Sequence, residues 1–145
     1  YQVWVETILR ELPETRGKML LSGHLELLDY FDSAYIAGVH LPFTRAIEFT
    51  SRPIKRSAWL GVSCHNLAEI EHAQIIGADF ITISPVLPTA THPKVIPLGW
   101  EVFNDLVGQA NIPAYALGGM IEACYQKALD AGAQGIAGIR MFLTK

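Results

Sequence analysis

The sequence predicts an α/β fold of the (β/α)8 barrel type, and three observations carry that prediction. Short apolar segments alternate with helical ones along the whole chain. Those segments are apolar at nearly every position, as parallel strands are when both faces of their sheet are covered. A unit also repeats: Ala73…Gly77-Ala78-Asp79…Ile81 returns as Ala128…Gly132-Ala133-Gln134…Ile136 at a constant offset, and Ser33-Ala34-Tyr35 is a degraded third copy. In each copy a small residue closes a helix where a left-handed cap is wanted, and the chain drops into the next strand. Repetition at the spacing of a βα unit favours a barrel over an open sheet.

The elements follow in order. Val3, Ile8, Leu9 and Leu12 predict an amphipathic helix that stops at Pro13, followed by a strand from Lys18 to Ser22. A helix is expected over His24 to Phe31 and a strand over Tyr35 to His40; a weaker helical stretch, Arg45 to Thr50, leads to Pro53. Trp59 to Ser63 is the third strand. Asn66 and Glu69 then form a capping-box pattern ahead of a helix whose buried stripe is Leu67, Ile70 and Ala73. The strand Phe80 to Ser84 precedes a long Pro-rich loop, Pro85 to Pro97. Trp100, Phe103, Leu106 and Val107 share one helical face. Pro113 to Leu117 is a strand, Ile121 to Ala131 a helix and Gly135 to Ile139 a last strand. An eight-unit barrel takes roughly 200 residues or more. The expectation is therefore that about two units lie outside this chain and that the remaining sheet exposes its edges.

The 145 residues are 50% hydrophobic and 17% charged, which suits one globular domain over residues 1–145. The net charge of −3, with basic residues scattered, points away from nucleic acid. No apolar run reaches the ~18 residues of a membrane span and no signal peptide is legible, so a cytoplasmic protein without membrane partners is expected. Cys64 and Cys124 lie far apart with no partner motif and read as reduced, structural thiols. The chain starts at Tyr1 within a helix-like stretch, and the expectation is that this is not a natural start.

Candidate chemistry gathers after the strands. In barrels, phosphate commonly sits on the loops after the last two strands, held by main-chain N–H groups. Gly118-Gly119 follows the penultimate strand, and Gly138-Ile139-Arg140 closes the last. Both turns lack bulky side chains where phosphate needs close backbone approach; turn glycines without a ligand are the alternative. Thr89, Thr91 and His92, in the Pro-rich loop, are good donors to phosphate oxygens. A surface loop stiffened by Pro85, Pro88, Pro93 and Pro97 explains them equally well. His65 follows a strand at the end where barrels do chemistry and is a candidate general acid or base, against a capping or packed histidine. A hydrolase arrangement of Ser63, Cys64 and His65 is the weaker reading. His24, His40 and His72 show no metal-ligand spacing, and no metal site is assigned.

The stretch GVSCHNLAEIEHAQIIGADFITISPVLPTATHP, followed by LGWEVF, IPAYALGGM and GAQGIAGIR, resembles the thiamine phosphate synthase/TenI family from about Lys18 to the end. That resemblance implies a (β/α)8 barrel whose first strand, first helix and second strand are absent here. The synthases join a hydroxymethylpyrimidine pyrophosphate to a thiazole phosphate with Mg²⁺, releasing pyrophosphate. The resemblance places Thr89 and Thr91 on the family's phosphate-binding Thr-x-Thr, Gly118-Gly119 on its Gly-Gly loop and Gly138 to Arg140 on its last phosphate turn. His65 falls on the histidine that TenI-type thiazole tautomerases use as acid/base. The chain also departs from the family: Ser22-Gly23 replaces Asn-Asp, Pro42-Phe43-Thr44-Arg45 replaces Gly-Gln-x-Asp, and His92 replaces a Lys. Both metal carboxylates are gone, which leaves Mg²⁺ poorly matched, and no cofactor is expected. The resemblance is closest to TenI-like domains fused C-terminally to Nudix (MutT-type) hydrolases, which makes a covalently linked Nudix domain an expected partner; a homodimer is left open. The function expected is binding of a thiazole phosphate or thiamine phosphate-type ligand without Mg²⁺-dependent synthase activity. The alternatives are a metal-free thiazole tautomerase using His65, an active synthase, or an accessory domain of a Nudix hydrolase of the 8-oxo-dGTP diphosphatase type.

Overall fold

The structure, a computed structural model, describes residues 1–11, 19–31, 35–91, 93–139 and 141. Six parallel strands, β1 (Met19–Ser22), β2 (Ile36–Leu41), β3 (Trp59–Cys64), β4 (Phe80–Ile83), β5 (Ala114–Leu117) and β6 (Gly135–Ala137), lie in one sheet in sequence order. Five helices accompany them: α1 (Gln2–Glu11), α2 (Phe43–Ala46), α3 (Leu67–Ile75), α4 (Gly99–Gln109) and α5 (Tyr125–Asp130). Each strand sits beside its sequence neighbours, as barrel winding demands. Among the described residues β1 and β6 are each paired on one side only.

The sheet has two unlike faces because side chains alternate along each strand. Leu21, Val39, Leu41, Leu60, Val62, Cys64, Ile81, Ile83 and Ala116 point to one face and are buried there. They join Ile70, Ala73 and Ile76 at α3 and Phe103 of α4 in one continuous core. The other face carries His40, Ser63, Phe80, Thr82 and Tyr115. Gly61 lies among them, and a Cβ there would stand 2.3 Å from Phe80 Cζ and 2.7 Å from His40 Cδ2. The missing side chain is what lets β2 and β4 meet across β3.

Three expectations need correction. In α1 the buried residue is Val5, with Leu9 half-buried beside it, whereas Val3 is 71% exposed and Ile8 is also exposed. Residues 5 and 9, one turn apart, set the packed face, so the stripe is rotated from the one expected. Over His24 to Phe31 only a single 3₁₀ turn forms, Leu25–Leu27, because His24 makes no capping bond; its Nδ1 is 2.9 Å from Glu26 Oε1. The helix expected over Arg45 to Thr50 is α2, which begins earlier, after Pro42, and ends by Ala46. His72 Nε2 lies 3.1 Å from the carbonyl of Ala46 and ties α2 to α3. Leu12, Pro13, Lys18, Ser33, Ala34, His92 and Arg140 lie outside the described residues.

At the end of the sheet opposite the candidate site, Arg52 clips the α2–β3 connection to the turn before β4. Its Nη2 donates to Ala58 O at 2.7 Å and to Asp79 Oδ2 at 2.7 Å, and Nη1 donates to the carbonyl of Gly77. The same Asp79 oxygen accepts from Leu60 N at 2.7 Å. The Arg52 side chain is only 11% exposed. Replacing Arg52 with Met removes the side-chain donor of two carbonyls and leaves the Asp79 carboxylate with Leu60 N but without its cation. Arg52→Met should therefore lower stability by about 2–3 kcal/mol, read as a drop in the urea midpoint with an unchanged slope. A midpoint equal to wild type would show that the clip contributes nothing.

Candidate functional site

The candidate site forms where the loop after β4 crosses the ends of β5 and β6. Two main-chain bonds stitch the crossing: Val86 N donates to Leu117 O at 2.9 Å and Leu87 N to Gly118 O at 3.0 Å. The loop's return is pinned by Leu98 N to Pro85 O at 2.8 Å and Gly99 N to Val86 O at 2.9 Å. Such close approach requires glycine. Gly118 (φ +91°) would place a Cβ 2.8 Å from the Cα and Cβ of Pro85, and Gly119 (φ +69°) would place one 2.7 Å from Leu87 Cβ and Pro88 O. Both backbones are in the region L-residues avoid.

This crossing borders a half-open cavity of about 300 Å³. Thr89, Thr91, Gly118, Gly119, Gly138 and Ile139 all line it, together with Met120, Ile121 and Met141. Six residues singled out from three separate loops thus share one space. Among the described residues, the main-chain N–H groups of Gly118, Gly119, Gly138 and Ile139 donate to no main-chain carbonyl. Hydroxyls and free amides around one small space suit an anion with several acceptor oxygens. The segment after Gly118-Gly119 is not the long helix expected. A 3₁₀ turn, Glu122–Cys124, leads into the short α5, so little helix dipole reaches the cavity. His92 and Arg140 fall outside the described residues.

His65 does not line that cavity. It stands exposed after β3, and its ring Nδ1 is 2.7 Å from Glu69 Oε2. The capping box is half as expected: Glu69 N donates to Asn66 Oδ1 at 3.0 Å, but the Glu69 carboxylate accepts from the main chain of His65 at 2.9 Å rather than from Asn66. Asn66 Nδ2 donates to Glu69 Oε1 at 3.0 Å. A packed histidine is thereby excluded. Cys64 is buried in the core, and burial, aided by the Glu69 charge, pushes its thiol up to about 12. A thiol buried in the core is out of reach of a substrate and is poorly placed to serve as a thiolate nucleophile beside His65.

A second polar group, unforeseen from the sequence, sits on the open face of the sheet. Thr82 Oγ1 is 3.3 Å from His40 Nε2 and 3.4 Å from Ser63 Oγ, while the His40 ring stacks on Phe80 at 5.9 Å. Burial holds the His40 pKa below the ordinary imidazole value. The Gly at position 61 was the signal that could have found this meeting. A larger cavity of about 670 Å³ lies at the other end of the strands, lined by Leu25, Leu28, Phe31 and Trp59 together with Glu26, Asp29 and Lys55. It holds none of the candidate residues, and polar and apolar groups share its lining almost equally.

Residues 7–142 match the family described as thiamine monophosphate synthase. Putative thiamine-phosphate synthase 2 of Aquifex aeolicus is 40% identical over 110 residues, covering 73% of this chain and 57% of the relative. The putative thiamine-phosphate synthase of Geobacter sulfurreducens is 36% identical over 131 residues, covering 89% of this chain and 61% of the relative. Thiamine phosphate pyrophosphorylase from Pyrococcus furiosus has a similar structure, with a TM-score of 0.62 at 20% identity over 84% of this chain and 56% of that one; at that identity it speaks for the fold alone. The chain thus spans little more than half the length of the proteins it matches.

Two outcomes follow from this geometry. Gly119→Ala forces either the loop or the turn to move and should cost about 2 kcal/mol or more, whereas Gly138→Ala meets only the flexible Met141 Sδ at 2.8 Å and should cost about half that or less; urea unfolding of the two variants compares them. For His40, a lowered folded-state pKa means that the unfolded chain binds the proton first. Stability from this group is complete above about pH 6.5 and falls as pH drops below it, by up to about 1.4 kcal/mol per unit. His40→Gln should flatten that part of the profile between pH 7.5 and 5.5, and an unchanged slope would refute the lowered His40 pKa.

Proposed function

The chain belongs to the thiamine monophosphate synthase/TenI family, and on that premise we propose that it binds the phosphate end of a thiazole phosphate or thiamine phosphate-type ligand without Mg²⁺-dependent coupling. One observation carries this reading: Thr89, Thr91, Gly118, Gly119, Gly138 and Ile139, from three loops distant in sequence, border a single cavity of about 300 Å³. That volume is at the small end of ligand sites, enough for a phosphate and part of its organic group. Phosphate oxygens accept hydrogen bonds only, and threonine hydroxyls and free main-chain amides supply donors without a side chain intruding.

The family's Mg²⁺ does not fit the residues present. At the positions of its carboxylate ligands stand Ser22, Gly23 and Pro42 to Arg45. Arg45 brings a positive charge, which Glu48 meets at 3.3 Å, and the nearby Glu26 is engaged by His24. Hard divalent cations need several anionic oxygens. Among the described residues no group of three or more His, Cys, Asp or Glu converges to supply them. No step through a metal is therefore derived.

A second reading, a metal-free tautomerase, is favoured by the carboxylate on His65 Nδ1, which is how a general base is oriented. Because the chain spans little more than half of its relatives, the whole protein's activity is part of this proposal, including the two further β/α units that would close the barrel. A linked Nudix domain belongs to it too, supported by the resemblance of the SCHN, LGW and GAQGIAGIR segments; the gene sequence upstream of Tyr1 tests that.

Calorimetry of the full-length protein with a thiazole phosphate, without Mg²⁺, should give saturable one-to-one binding. Thr89→Val with Thr91→Val should weaken it about tenfold or more, since each hydroxyl to a charged oxygen contributes about 1.5–3 kcal/mol. Absence of heat with wild type, or equal affinity in the double variant, counts against the reading.

A further inference from the structure

The capping pattern at the start of α3 has an unexpected occupant. In a reciprocal box the Glu carboxylate returns to the cap residue's own N–H. Here Glu69 Oε2 instead takes two donors from one residue, the His65 main-chain N–H at 2.9 Å and the ring Nδ1 at 2.7 Å. Its other oxygen, Oε1, is held by Asn66 Nδ2 at 3.0 Å. The Glu69 side chain is 16% exposed and the His65 side chain 49%, so the carboxylate is sheltered while the ring projects at the strand end. An ionised carboxylate only accepts. A neutral His65 therefore carries its proton on Nδ1, and Nε2 is left with a lone pair.

We propose that Glu69 is a positioning residue that sets His65 as a proton acceptor at the mouth of the sheet. The acid/base role of His65 rests on the tautomerase reading above; the positioning by Glu69 does not. In a transfer, the proton of an acidic C–H or O–H goes to Nε2 and the electron pair stays on the donor atom. The imidazolium that forms carries both N–H groups, and the Glu69 carboxylate, already in contact, balances its charge. The strength of a charge-assisted bond corresponds to a tautomer bias of about tenfold or more. Orientation is fixed twice over, because the main-chain and ring donors share one oxygen. Cys64, the neighbour of His65, is turned into the core and takes no part.

Nitrogen-15 NMR of the imidazole, on full-length protein well above the ordinary imidazole pKa, reads the tautomer without any ligand. Wild type should show His65 with Nδ1 protonated in about tenfold excess or more. Glu69→Ala should abolish the bias, and Glu69→Gln, which keeps a neutral acceptor and the main-chain bond, should reduce it several-fold while restoring stability. Asn66→Ala removes the other half of the cap, and it should lower stability while leaving the bias in place. An Nε2-protonated majority in wild type, an unchanged bias in Glu69→Gln, or loss of the bias in Asn66→Ala would each overturn the assignment. If Glu69→Ala fails to fold, Glu69→Gln against Asn66→Ala decides it. Failure of thiazole phosphate binding would remove the function proposed above and leave this tautomer result standing.

Discussion

Everything at the candidate site depends on one close approach: the main chain of the loop after β4 lies directly against the turn at the end of β5. Val86 and Leu87 donate to Leu117 and Gly118 there, and only residues without a Cβ permit it, since Pro85, Leu87 and Pro88 occupy the space side chains would need. The two glycines thus serve a purpose beyond turn geometry. They bring Thr89 and Thr91 of one loop within the same cavity as Gly138 and Ile139 of another. A third such contact shapes the open face: Gly61 lets His40 reach over β3 to Phe80 and Thr82.

Much of this was legible in the residues, and where it was not the reason is physical. Apolar runs such as Leu60 to Val62 and Ile81 to Ile83 announce parallel strands because both faces must be covered, and the sheet order follows from winding. Helices were harder. Residues His24 to Phe31 hold enough leucine for a helix, but His24 at the cap position makes no capping bond and pairs with Glu26. In α1 the periodicity allowed more than one stripe, and the packing of Val5 decided among them.

The site was legible as composition and order rather than as geometry. Gly118-Gly119 could be named from its place after a strand, and Thr89 and Thr91 as a phosphate pair only from the family resemblance; their convergence depends on backbone contacts that no local pattern encodes. Asn66 caps α3 through Glu69 N, the half of the box that its spacing predicts. What spacing could not say is that the carboxylate takes its donors from His65, because a residue ahead of the cap is positioned by the exit angle of β3. His40, Ser63 and Thr82 lie on three strands, and only the register Gly61↔Phe80 and Ser63↔Thr82 brings them into one group.

The chemistry gathered at the ends of the strands is amides and hydroxyls around the cavity and, apart from it, the imidazole of His65 held by Glu69. On the function proposed above, it suits holding a phosphate and moving a proton, and among the described residues no cluster of three or more His, Cys, Asp or Glu gathers that could hold a divalent cation. The most direct measurement is a titration of ¹⁵N-labelled full-length protein with a thiazole phosphate, followed by amide NMR. Saturable shifts at the amides of Gly118, Gly119 and Gly138, all with one apparent Kd, are the predicted result. Shifts that never saturate, or that saturate elsewhere while these three amides stay still, would contradict an anion held by the glycine turns.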